Sequence, residues 1–152
     1  VRRLLGVDLG DRRIGVAIAD PESGRVRPLA TLRRGTPQAD AATLSRLAAE
    51  QGAGELVVGL PLDAAGGEGA QATATRAWAE AVAPIMGLPL HWRDERHTSQ
   101  AAEVRLGPMP RGRAGGAPSS AALRARRARV DQEAAVLILQ AELDARGSGQ
   151  AR

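Results

Sequence analysis

The chain has 152 residues, a formal net charge of +4 and neither cysteine nor lysine, so all 21 of its basic residues are arginines. Disulfides, thiolate nucleophiles and cysteine-based zinc sites are excluded, and two histidines, His91 and His97, cannot build a multi-histidine metal site within one subunit. Carboxylates are the available metal ligands, and they suit hard ions such as magnesium or manganese.

The first predicted elements lie in LLGVDLGDRRIGVAIAD, residues 4–20. Leu5, Val7 and Leu9 alternate with Gly6, Asp8 and Gly10, then Ile14, Val16 and Ile18 alternate with Gly15, Ala17 and Ala19. Period two predicts two strands, joined through Asp11, Arg12 and Arg13 as a hairpin. Asp8 thus projects from a strand that otherwise reads as the middle of a sheet. It is either a carboxylate satisfied by turn amides or a ligand on rigid scaffold, with flanking glycines that permit close approach. Residues 25–32 read as a third strand. Pro37 suits the first turn of a helix over 37–51, with Ala41, Leu44, Leu47 and Ala48 on its apolar side and Gly52 after it.

ELVVGLPL, residues 55–62, reads as a buried strand, and the glycines of 63–69 as a loop. A helix then runs to about Met86, with Ala74, Trp78, Val82 and Ile85 on one side and Pro84 bending or fraying its end. Residues 88–95 read as another strand, and Thr98 or Ser99 can cap the helix that follows. Residues 107–123 form an expected mobile Arg/Gly-rich loop. The last helix, from Leu123 or Arg126 to Leu143, carries Val130, Ala134, Leu137 and Ala141 on its apolar side. Gly147 is expected to end it, leaving a flexible tail over 148–152. Strand–strand–strand followed by helix–strand alternation predicts one α/β domain over 1–147, a mixed sheet covered by helices.

Open α/β sheets place their sites beyond the carboxyl ends of parallel strands. Asp8 lies late in the first strand, Glu95 ends the last, and Asp131 lies in the final helix. If these meet, three like charges require divalent cations to hold them, and paired metals can support phosphodiester hydrolysis. Each residue also has a plainer role: Asp131 with Arg127 four residues earlier, Glu95 with Arg93 or Arg96. Asp94 competes with Glu95, because adjacent strand residues face opposite ways. Glu68, His97 and Thr98 are further candidate accessory groups.

GVDLGDRRIGVAIAD, VVGLPL with its GGEG loop, DERHTS at 94–99 and VDQEAAVLILQAELD at 130–144 stand in the order seen in the YqgF/RuvX family. The resemblance runs from about Leu4 to Leu143. It implies an RNase H-like fold, a five-stranded mixed sheet whose first three strands are antiparallel, flanked by helices. It also implies nuclease activity in 5′-end maturation of pre-16S rRNA, the family having formerly been described as Holliday junction resolvases. Motif by motif, Asp8, Glu95 and Asp131 match the family's metal-binding catalytic positions, for one or two Mg2+ or Mn2+ ions. His97-Thr98-Ser99 departs from the family's usual continuation of the DER motif, and arginines replace the lysines common before its last aspartate.

From Arg105 to Arg129 there are seven arginines and no acidic residue. A cationic segment leading to an acidic centre suits a nuclease, since arginines attract the backbone while carboxylates retain metal. Arg13, Arg96, Arg111, Arg113, Arg124, Arg126, Arg127 and Arg129 are the candidate nucleic-acid contacts. With two tryptophans as the only aromatics, recognition is expected through the backbone of pre-16S rRNA or of branched or single-stranded DNA. A branched substrate would suit two centres on a homodimer, and precursor ribosomal particles are a further candidate partner. No stretch approaches membrane-spanning length and no secretory h-region precedes the first strand, so a cytoplasmic protein without a membrane partner is expected. The competing classes are a non-catalytic ribosome-assembly factor and an actin-like ATPase. The latter needs two domains around its nucleotide, for which the chain has no room.

Overall fold

Alternation in the opening residues builds the centre of the sheet. The computed structural model describes residues 2–150 apart from 64, 96, 97, 110, 113 and 114, with only the backbone described at 98–100 and 148–150. Its elements are β1 (Arg3–Leu9), β2 (Arg13–Asp20), β3 (Arg25–Arg33), α1 (Pro37–Gln51), β4 (Ala53–Leu60), α2 (Ala70–Met86), β5 (Leu90–Asp94), α3 (Thr98–Leu106) and α4 (Ser120–Gln150). The five strands form one sheet in the order β3-β2-β1-β4-β5. β1 to β3 are antiparallel neighbours, while β4 runs parallel to β1 and β5 parallel to β4. The predicted mixed sheet, with its first three strands antiparallel and helices around it, is what the chain forms.

Strand parity divides the sheet between two layers. Leu5, Val7 and Leu9 of β1, Ile14, Val16 and Ile18 of β2 and Leu56 and Val58 of β4 pack with α1 and α2 through Ala41, Leu44, Trp78 and Val82. Leu4, Ala17, Ala19 and Val57 point the other way and meet Ala135, Val136, Ile138 and Leu139 of α4. Asp8, Gly15 and Gly59 share this second face. The helix on that face approaches closely because the strands carry glycine beneath it. A methyl at Gly6 would overlap Leu139, and one at Gly15 would overlap the backbone carbonyl of Asp131.

Several boundaries differ from expectation, each for a local reason. β4 starts at Ala53, directly after the left-handed cap Gly52 (φ 70°), and ends at Leu60. Pro61 has no N–H with which to extend a ladder, and Leu60 O instead accepts from the amides of Leu62 and Glu95. The final helix begins at Ser120, earlier than predicted, because the Ser119 hydroxyl accepts from Ala122 N at 3.1 Å and caps it. The inter-helix segment is therefore 107–119 rather than 107–123. Gly147 does not terminate α4, which continues through the expected tail to Gln150. In α2 the buried stripe is Ala72, Thr75, Trp78, Ala79, Val82 and Ala83, whereas Ala74 and Ile85 face solvent. In α4 it is Ala134, Ala135, Val136, Ile138, Leu139 and Glu142, with Ala141 exposed. Among the described residues no helix is long and apolar enough to cross a membrane.

Candidate active site

Asp8 pairs across the hairpin with Gly15 and lies one residue beyond the last registered β1–β4 pair, Val7 with Val58. Its carboxyl therefore projects over two strands toward α4. Glu95 follows β5, its amide donating to Leu60 O at 3.1 Å. Odd-numbered residues at the end of β5 face α4, which brings Glu95 to Asp8 and leaves the exposed Asp94 on the other face. Gly59 makes room, since a methyl there would lie 2.6 Å from Glu95 Oε2.

Asp8 and Glu95 are each 9 % exposed and their side chains are hydrogen-bonded to each other. Burial raises the pKa of both above the usual carboxylate range, and for Glu95 the neighbouring charge of Asp8 adds to it. The bond donated by Glu95 partly offsets the rise at Asp8, while the charge of Asp131 reinforces it. Asp131 is close enough to act on Asp8, but its Oδ2 accepts from Arg13 Nε at 2.6 Å. Among the described residues no set of three His, Asp or Glu side chains stands in metal-holding geometry. The donor chemistry nonetheless fits a hard divalent ion: two buried carboxylates share one position, with a third beside it neutralised by a guanidinium.

The other sequence candidates separate into groups. Glu68 does not join the carboxylates, because it pairs with Arg76 at 2.5 and 3.1 Å, and that guanidinium also lies 5.0 Å above the Trp92 ring. Arg111, Arg124, Arg127 and Arg129 are exposed and make no ion pair among the described residues. Arg126 instead donates to the carbonyls of Gly107 and Glu103, closing the C-terminus of α3. Arg13 is likewise engaged, by Asp131. Arg96, His97 and Arg113 lie outside the described residues, and Thr98 opens α3 with only its backbone described.

Two arrangements were missed by sequence reasoning. Asp131 pairs with Arg13, 118 residues away, rather than with Arg127. At the other end of α4, Glu142 binds Arg146 (2.7 Å) and Arg93 (3.3 Å), Arg146 also binds Glu55 (3.2 Å), and Glu55 binds His91 (2.8 Å). The available signal was helical spacing: residues 131, 135, 138 and 142 fall on one stripe, so an acidic residue closes the sheet-facing row at each end.

The chain matches the model of the RuvX family, described as Holliday junction resolvase, over residues 2–145. It is 41 % identical over 143 residues to a protein of Chloroflexus aggregans named "Putative pre-16S rRNA nuclease", covering 94 % of each chain. A protein of the same name from Anaeromyxobacter sp. is 42 % identical over 144 residues, covering 95 % of this chain and 98 % of the other. Among solved structures, Thermus thermophilus RuvC aligns with a TM-score of 0.54 at 13 % identity over 96 % of both chains. RuvC in complex with a Holliday junction substrate aligns at 0.50 and 17 % identity, over 91 % of this chain and 92 % of that one. Such identities speak to the fold, which is RNase H-like, whereas the family rests on the sequence match. By its match over residues 2–145 and its relatives at about 40 % identity, the chain belongs to the RuvX family.

Proposed function

We propose that this protein is a divalent-metal-dependent nuclease, hydrolysing phosphodiester bonds in the 5′-end processing of pre-16S rRNA. One observation carries the reading: Asp8 and Glu95, from distant parts of the chain, are buried together at the carboxyl ends of the parallel strands, with Asp131 beside Asp8. Burying two acids against each other without a further purpose is costly, and such pairs mark reactive centres. Asp8, Glu95 and Asp131 would hold one or two Mg2+ or Mn2+ ions. Bound there, the metal supplies charge neutralisation at the scissile phosphate and a nucleophile at neutral pH.

The chain's own residues supply placement. Asp8 is fixed by the central strand and Glu95 by its backbone bond to Leu60, so neither acid depends on a loose loop for its position. Their burial disfavours the charged form of both carboxyls, a cost that a bound cation would offset. Exposed Arg124, Arg127 and Arg129 line the first turns of α4 leading to Asp131, where they can bind the nucleic-acid backbone. The substrate assignment is supported by the relatives' name, and with it the protein would act in the cytoplasm on precursor ribosomal particles. The family description favours branched DNA as the second reading, with two copies serving the two cuts.

The test is cleavage of precursor 16S rRNA, single-stranded RNA and DNA, duplex DNA and a four-way junction, with Mg2+, Mn2+ or chelator. Asp8→Asn, Glu95→Gln and Asp131→Asn should each lower cleavage by more than about 100-fold while binding persists, since even outer partners of metal ligands are worth about 10–100-fold. Preference for the junction would select the resolvase reading. Binding without cleavage by any form would leave a ribosome-assembly factor.

A further inference from the structure

We infer that Arg13 is a positioning residue that withholds Asp131 from the metal centre and releases it when a phosphate of the substrate takes the guanidinium. The inference rests on the nuclease reading above and adds an order of assembly to it.

Asp131 is the fixed partner of the pair. Its backbone carbonyl lies against Gly15, where a side chain would overlap it. The surrounding turns of α4 are tied to β3, because Thr31 Oγ1 donates to Ala128 O at 2.8 Å and accepts from Gln132 Nε2 at 3.0 Å. These contacts hold the helix without Arg13, so a structural clamp at this point is redundant. Arg13 is the movable partner, a long side chain at the start of β2, 39 % exposed against 18 % for Asp131.

Arg13 uses only Nε on Asp131, and its two Nη groups bond to no protein group among the described residues. A guanidinium in this state already offers a fork suited to phosphate. Asp131 meanwhile sits against Gly15, the cross-strand partner of Asp8, so releasing it adds a third carboxylate beside the buried pair. A cation at Asp8 and Glu95 and the guanidinium of Arg13 therefore compete for one carboxylate. A phosphate that draws Arg13 away strengthens cation binding, and by linkage a bound cation strengthens phosphate binding at Arg13. The centre becomes fully charged with metal only when the backbone to be cut is present.

The experiment is Mn2+ titration of the full chain without nucleic acid, reading free Mn2+ by electron paramagnetic resonance. Wild type, Arg13→Ala and Arg13→Gln are compared, with exposed Arg46→Ala on α1 as a charge control and Asp8→Asn as a site control. Both Arg13 variants should bind Mn2+ about 5-fold or more tightly than wild type, the lower end of ordinary coupling between sites. Arg46→Ala should match wild type, and Asp8→Asn should lose the ion. A purely structural arginine would instead weaken Mn2+ binding when removed. Unchanged or weaker binding in the Arg13 variants, or an equal gain in Arg46→Ala, overturns the release of Asp131 while leaving the metal centre standing. If Asp8→Asn binds Mn2+ as wild type does, the metal reading fails and the inference fails with it. Arg13→Gln, which retains a side-chain amide donor, guards against misfolding of the alanine variant, and a thermal melt of each confirms the fold.

Discussion

At Gly15 the strand lies so close to α4 that even a methyl group has no place beside Asp131. Gly15→Ala must lift the helix or bend the strand, and overpacking of this kind costs about 1–3 kcal/mol. Urea unfolding should show that loss, together with reduced cleavage, because the displaced residue is Asp131 itself. Gly147→Ala is the counterpart: it lies inside α4 with nothing within 4 Å of the added methyl, and should stabilise the chain by up to about 1 kcal/mol. A stabilised Gly15→Ala would contradict the close approach. At this scale Asp8 was legible from alternation alone, since its neighbours fixed both strand and face. The partner of Asp131 was not, because an ion pair across 118 residues leaves no local trace.

Among the elements, α4 is the one whose position decides the site, and it is secured at both ends of its sheet-facing stripe. Its far end rests on the network of Glu55, His91, Arg93, Glu142 and Arg146. The Arg146 guanidinium, more than His91, holds the Glu55 carboxyl below its ordinary value of 4.5. A depressed acid contributes stability that is present above its unfolded pKa and is lost as pH falls through the lower folded value. Glu55→Gln should therefore melt below wild type at pH 7, and the gap should close as pH is lowered from about 4.5 toward the depressed folded value. Thermal melts at stepped pH test this, and a constant gap would mean that Glu55 acts by packing. Helix starts and stops were legible where one residue dictates them, as at Pro37 and Gly52. Gly147 misled because a glycine in an exposed helix position costs only about 1 kcal/mol relative to alanine, too little to stop a helix by itself.

Over the whole molecule, a net charge of +4 says less than where the arginines are spent. Arg124, Arg127 and Arg129 face solvent, while Arg126 between them is committed to the end of α3. Losing an arginine that contacts phosphate should weaken binding evenly across sequences and reduce the salt slope on single strands by about 0.7 per contact. Arg127→Ala is expected to behave so. Arg126→Ala should leave the slope near wild type and instead lower stability by about 1 kcal/mol, the worth of a lost hydrogen bond to a helix end. Fluorescence anisotropy over a salt series, paired with a melt, separates the two.

The sequence by itself determined the opening hairpin, the later strand–helix alternation and the strand position of Asp8, because period two and turn residues act over a few neighbours. The antiparallel third strand and the choice of Glu95 over Asp94 came with the family resemblance. Tertiary structure alone decided which arginines remain available for a ligand. Every arginine carries the same charge in the sequence, but one lies against Asp131, another caps a helix and others reach water. That division depends on distances between segments far apart in the chain, which only the packing of α4 on the sheet establishes.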